Sequence, residues 1–417
     1  MAIGDFGELI RTYRRQVNIT ASELAKRAGI PKSVLSKIET GETKRPSFET
    51  CKKIASTLNI PDTLVISSYL DVTEHAKSIQ VLLQEAIALK NKVLVEKVAQ
   101  RLLETPKMDT FLALDLLFQV TRDVADHPIR LTLYNVMIDY TRKRGVPYYL
   151  GKCLYERYLL ERDDFSRFEE TYRGARELLH YIDYLQPTER ISFYYRLGIH
   201  ANILGYHREC IELCGKGIRQ DRTDSKQKAS ALIALFNSYI ALGDLTFAEY
   251  CLKQYEDCEY ADFRKKHFQA ALYTMKGQYD EAVHLYKECL YEAERDGRIS
   301  IASDLLEIYM VSGRNDAIKE LIQAEDQFLP ADVDGHPYRI NVAARYFQQK
   351  GMCQLSIGLT DEGFNSLLQS ISFYRKLGAS EKVIECVGLF LKHHRIYEKN
   401  LSFEHMELIV NICYDDN

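Results

Sequence analysis

Residues Phe6 to Val17 carry apolar side chains at the spacing of one helix face, and a second periodic stretch follows at once. Thr20 stands where it can cap a short second helix with Leu24, Ala25 and Ala28 on one side. Gly29 suits the left-handed residue that ends that helix, and Pro31 suits the first position of a third. The third helix runs to Glu39 with Val34, Leu35 and Ile38 as its apolar face, and Gly41 closes it. From 71 to 417 apolar residues recur at three and four, proline is sparse, and alternating β-type runs are absent. The pattern predicts helix after helix, in an all-α chain.

Two short helices joined by a tight glycine turn make a helix-turn-helix, whose second helix enters the DNA major groove. The stretch TASELAKRAGIPKSVLSKIETGETKRP resembles the Xre/Cro-type repressor family over about residues 4–66. The Leu-Ala of helix two, the turn glycine, the Ile-Glu-x-Gly after helix three and Pro46 fall where that family has them. The run Thr43-Lys44-Arg45-Pro46 also matches a lambdoid phage repressor. The resemblance implies binding to a double-stranded DNA operator. Lys32, Ser33, Ser36 and Lys37 then project into the groove, Ser22 and Val34 adjoin them, and Thr43, Lys44 and Arg45 hold phosphates. Ala21 stands where the family often has Gln, so one contact is missing. A helical hairpin within a larger all-α protein is the plainer reading, and charge weighs against it. Residues 1–70 hold 11 Lys and Arg against 7 Asp and Glu, whereas the remainder holds 44 against 52. A basic head on an acidic body is what phosphate binding by one part would produce.

The body has an internal period. Glycines that end one helix and precede another recur at Gly205, Gly243, Gly277, Gly313 and Gly358, at spacings of 38, 34, 36 and 45 residues. In the clearest copy, KGQYDEAVHLYKECL, an aromatic lies two after the glycine and Ala282 five after it. Ala248, Ala282, Ala317 and Gly363 fall near that place, where a small residue lets two antiparallel helices approach closely. This resembles the tetratricopeptide repeat, with its period of about 34 residues. The resemblance is good over about 190–375; residues 149–180 look like a degenerate copy, and 76–145 like two more helical pairs. The expected fold is an N-terminal helix-turn-helix domain, 1–70, followed by a right-handed tetratricopeptide-type α-solenoid, 71–417, with a short semi-rigid joint at Asp71–His75.

Anchoring each repeat on its glycine places Tyr195, Asn202, Asn237, His267, Thr274, Ser303, Glu307, Arg345 and Gln348 on one face of the first helices. In tetratricopeptide proteins that face lines a concave groove suited to an extended peptide. The stripe is polar, and an asparagine amide both donates to and accepts from a peptide backbone. Asn202 and Asn237 are therefore expected to clamp the main chain, with Glu307 and Arg345 choosing by charge.

A Xre-type head on tetratricopeptide repeats resembles the peptide-pheromone receptors of the Rap, Rgg, NprR, PlcR and PrgX family, with size and domain order most like NprR. That resemblance implies a cytoplasmic transcription regulator in quorum sensing, controlled by a short signalling peptide. Alternatives are an adaptor that recruits a protein to DNA through its repeats, a constitutive repressor whose repeats only dimerise, and a regulator with an added Rap-like activity on a response regulator. A homodimer is expected, because one head reads too few base pairs, with most of its area on C-terminal helices at 381–396 and 402–413.

Other chemistry is missing from the sequence. It has no Gly-rich phosphate loop, G-x-S-x-G or H-E-x-x-H, so no catalytic residue, cofactor or enzymatic activity is expected. The ten cysteines lack Cys-x-x-Cys spacing, which speaks for buried thiols and against a metal site. His393 and His394 read as surface residues. No apolar run reaches about 18 residues, so no membrane span is expected.

Overall fold

The computed structural model describes residues 6–396 except 44, 45, 107, 330–332, 334 and 335, and adds the isolated residues 407 and 410. The described residues form α-helices and short 3₁₀ turns, without a β-strand among them. The chain divides into two compact units, 1–160 and 161–417. The division falls well beyond the joint expected at 71–75, so residues 71–160 group with the head.

In the first unit, α1 (Phe6–Gln16), α2 (Ala21–Arg27), α3 (Lys32–Glu39), α4 (Phe48–Thr57) and α5 (Asp62–Val72) surround a core of Phe6, Ile10, Leu24, Leu35, Ile54 and Val65. Thr20 caps α2 by accepting from the Glu23 amide at 3.2 Å. Gly29 ends α2 at φ +66°, and the next amide, of Ile30, donates back to Ala25 O at 3.0 Å. Pro31 is the cap of α3 rather than its first residue. Gly7 is required by packing: a Cβ there would lie 2.2 Å from the Ile38 carbonyl oxygen. A buried ion pair ties α1 to α3, with Arg14 Nε 2.7 Å and Nη2 2.9 Å from the Glu39 carboxylate.

Five further helices complete this unit: α6 (Ala76–Ala88), α7 (Lys92–Leu103), α8 (Thr110–Asp123), α9 (His127–Arg144) and α10 (Pro147–Glu161). The joint before α6 is pinned. Tyr69 donates to Pro46 O at 3.0 Å, Arg101 to Thr73 O at 3.3 Å, Thr105 to Glu74 O at 3.2 Å, and Lys52 pairs with Glu85 at 2.8 Å.

The second unit begins with α11 (Phe168–Ala175), the short second helix of the degenerate copy, which decays into a 3₁₀ turn. Helical pairs follow: α12 (Pro187–Leu204) with α13 (His207–Gln220), α14 (Lys226–Ala241) with α15 (Leu245–Glu256), and α16 (Arg264–Met275) with α17 (Tyr279–Glu292). Then come α18 (Arg295–Val311) with α19 (Asn315–Gln323), α20 (Pro337–Ser356) with α21 (Thr360–Lys376), and α22 (Ser380–Ile396). All five repeat glycines adopt positive φ, between +68° and +87°. At each, the following amide donates to the carbonyl five residues back, at 2.8–2.9 Å, so one stop geometry recurs five times. The small residues after the turns behave as expected: Ala248 and Ala282 are fully buried, and Gly363 meets Gly351 so closely that a Cβ on either would press on the other's carbonyl oxygen.

First helices pack on the next first helices, α12 on α14, α14 on α16, α16 on α18 and α18 on α20. The unit also closes on itself. Glu169 of α11 is buried and accepts from the Ser380 hydroxyl at 2.9 Å, the Ser380 amide at 3.3 Å and the Tyr206 hydroxyl at 2.8 Å. Residue 169 thereby touches residue 380. His394 is not a surface residue: it is 4 % exposed and stacks on Phe364 at 4.1 Å, because α22 lays that side against α21. Of the expected helix 402–413, only residues 407 and 410 are among the described residues.

Candidate functional site

The DNA-facing candidates sit on α3 and its flanks. Leu35 and Ile38 point into the core at 0 % and 2 % exposure, so the opposite side of the helix is turned outward. Lys32, Ser33, Ser36 and Lys37 are all exposed on it, and Ser22 is exposed on α2. Val34 differs from its expected place in the apolar face: it is 36 % exposed and stands among the outward residues. Its exposure follows from register, since Leu35 and Ile38 already fill the three-residue spacing that the core admits. Lys37 forms a surface pair with Glu42 at 3.2 Å, and the Thr43 amide donates to Lys37 O at 2.9 Å, folding the segment after α3 back over its end. Lys44 and Arg45 lie outside the described residues. The outward face therefore offers two lysines and two hydroxyls on a helix whose orientation is fixed by buried Leu35, Ile38 and the Arg14–Glu39 pair.

The peptide-facing candidates divide into three groups. Two are enclosed. Tyr195 is 1 % exposed, lies against Gly217 of α13 and donates to Asp221 Oδ2 at 2.9 Å, and Ser303 is fully buried in α18. Neither presents surface to a ligand in this conformation, because Tyr195 fills the gap left by a glycine between paired helices and α18 is packed on nearly every side. A second group bridges helices. Asn202 donates to Ala234 O at 3.3 Å and Ser238 Oγ at 3.0 Å, joining α12 to α14. His267 lies 2.6 Å from Asp304, joining α16 to α18. Arg345 of α20 reaches Asp304 at 2.6 Å and Glu307 at 3.4 Å, and Gln348 accepts from Tyr374 at 3.5 Å. The third group is the simplest: Asn237 is exposed, and Thr274 is half-buried with its hydroxyl on Ala270 O of its own helix at 2.9 Å.

Asp304 is the residue the glycine register passed over. Choosing positions 303 and 307 skips it, although it shares their stripe and joins three successive first helices. Burial alone would push its carboxyl up, but Arg345 and the His267 bond more than offset that and hold it below the usual carboxylate range. Burial raises the Glu307 carboxyl, and Arg345 only partly offsets it.

Among the described residues no helix is long and apolar enough to cross a membrane. The regulator SlrR of Bacillus subtilis is 41 % identical over 54 residues, which is 13 % of this chain and 36 % of that protein, so the match spans about a third of its length. A tetratricopeptide repeat protein from Parabacteroides merdae aligns with 66 % of this chain and 98 % of its own at 15 % identity and a TM-score of 0.49. Bacillus thuringiensis PlcR, solved with the peptide PapR7 and DNA, aligns with 92 % of this chain and 99 % of its own at 15 % identity and a TM-score of 0.31. One assignment stands on sequence alone: residues 10–65 match the helix-turn-helix family, and this chain carries a helix-turn-helix domain at its head.

Proposed function

We propose that the protein is a cytoplasmic transcription regulator that binds an operator through α3 and is controlled by a short signalling peptide held against the first helices of its repeats. The carrying observation is the two-sidedness of α3, with Leu35 and Ile38 sealed in the core and Lys32, Ser33, Ser36 and Lys37 turned out together. Lysine donates to guanine O6 and N7 and serine to several base edges, while exposed lysines also offset phosphate charge. On the repeats, Asn202, Asn237, Glu307, Arg345 and Gln348 keep surface open beside one another's helices and supply both donors and acceptors for an extended main chain. Binding, not catalysis, is the chemistry these groups support.

The regulator acts as a homodimer in this reading, since two such heads read half-sites about 34 Å apart. Helix α22 is the proposed contact: Ile384 and Leu391 are 71 % and 47 % exposed and lie two turns apart on one face, with Gly388 between them. The test is a salt-matched titration of operator DNA into wild type and Lys37→Ala, with and without peptide recovered from the native host by mass spectrometry. The reading expects weaker binding by the variant and a peptide-dependent change in the wild type. Unchanged operator affinity in both comparisons sinks it.

A further inference from the structure

Helix α18 is buried on every side from 301 to 309 except at Glu307. Its polar residues Ser300, Ser303, Asp304 and Glu307 recur at three and four, so they share one face. The two carboxylates on that face are unequally partnered. Arg345 sends a single nitrogen, Nη2, to both carboxylates, 2.6 Å from Asp304 Oδ1 and 3.4 Å from Glu307 Oε2. At those distances the guanidinium belongs to Asp304, which also has His267 at 2.6 Å. Asp304 is sealed at 12 % side-chain exposure, whereas Glu307 is 45 % exposed. The cation at the start of α16, Arg264, is 3.0 Å from Asp262 and is balanced there. Glu307 therefore keeps only the longer of the two contacts to Arg345. One turn from Glu307, the Ser303 hydroxyl is enclosed without a hydrogen-bond partner.

We infer that Glu307 anchors a cationic group of the bound peptide, a lysine or arginine side chain or the N-terminal ammonium, and so decides which peptide is accepted. The inference rests on the peptide-binding reading above. A ligand carboxylate is disfavoured at this point because Arg345 already faces two. A ligand cation completes Glu307 and leaves the Asp304–Arg345–His267 bridge intact. The raised Glu307 carboxyl agrees with a group whose charge is under-compensated until the ligand arrives.

Three pools of randomised synthetic heptapeptides test this on the full-length protein. One contains Lys and Arg with acetylated N-termini, one lacks Lys and Arg but keeps free N-termini, and one lacks both. Retained peptides are separated by gel filtration and sequenced by mass spectrometry. Wild type should retain the first or the second pool over the third by about tenfold or more. The first identifies a side chain as the cation and the second the terminus. Glu307→Gln should erase that preference, and Glu307→Lys should turn it toward Asp- and Glu-containing sequences, a gain that misfolding cannot mimic. Equal retention of all three pools by wild type overturns the inference, as does a preference that survives in Glu307→Gln. If wild type retains no peptide from any pool, the peptide-binding reading falls and the inference falls with it.

Discussion

The head and the repeats use polar residues in opposite ways. In the head, Lys32, Ser33, Ser36 and Lys37 stand outward while a separate set, Leu35, Ile38 and the Arg14–Glu39 pair, fixes the helix that presents them. In the repeats, the residues that would meet a ligand also hold the array together: Asn202 bridges α12 to α14, and Arg345 bridges α20 to α18. Recognition and scaffold are separable in the first region and shared in the second. Substitutions should therefore change one property in the head and two in the repeats.

The largest expected effect attacks the head's scaffold. Glu39→Ala leaves Arg14, 16 % exposed, without its carboxylate, and should cost about 3 kcal/mol, the low end for breaking a buried pair, since Arg14 keeps its bond to the Ile19 carbonyl. Thermal melting together with loss of operator binding reads it. A melting curve unchanged from wild type removes the assigned role of that pair.

Loss of stability between pH 7 and pH 5 should come chiefly from the repeats. Residues 1–70 contain no histidine, whereas in the second unit burial pushes the His200 imidazole down from 6.5 to about 3 while its Nε2–H donates to Phe168 O at 2.8 Å. Between those values the unfolded chain binds a proton that the folded chain refuses. Stability is thus full above about pH 6.5 and falls as pH drops toward 3, by up to about 1.4 kcal/mol per unit from this group. Denaturant titrations of wild type and His200→Gln at pH 7 and pH 5 should show a shallower pH dependence in the variant. Identical slopes reject the assignment.

Lys37→Ala should weaken operator binding by about 1–3 kcal/mol without shifting the melting temperature. Lys44→Ala should weaken all sequences alike and lower the salt slope by about one. The smallest effect separates the two regions most sharply. Asn202→Ala should lower stability by about 1 kcal/mol through its lost bridge to Ala234 and Ser238, and lower peptide affinity as well. A variant that binds peptide weakly yet melts like wild type breaks the comparison.

The same contrast explains what could be read from the chain. In the head, every local signal points one way: the Thr20 cap, the Gly29 stop and the Leu35–Ile38 spacing each depend on neighbours a few residues away. The repeat glycines are legible for that reason too, since the stop geometry at Gly243 or Gly277 is a property of six residues. The ligand-facing stripe is not local. Tyr195 is enclosed because residue 217 happens to be a glycine, and Asp304 matters because His267 and Arg345 converge on it from 37 and 41 positions away. The burial of His394 has the same origin, since it depends on Phe364 in another helix. A period finds the repeats but fixes the register of their faces only to within a residue.

The contact between Glu169 and Ser380 limits how such an array can change over time. An open stack of repeats gains or loses a member at little cost, because each copy touches only its neighbours. Here an inserted or deleted copy would carry residue 380 away from residue 169, strand a buried carboxylate and unmake the seam. The number of repeats is therefore fixed by geometry, and diversification is channelled into side chains rather than copy number.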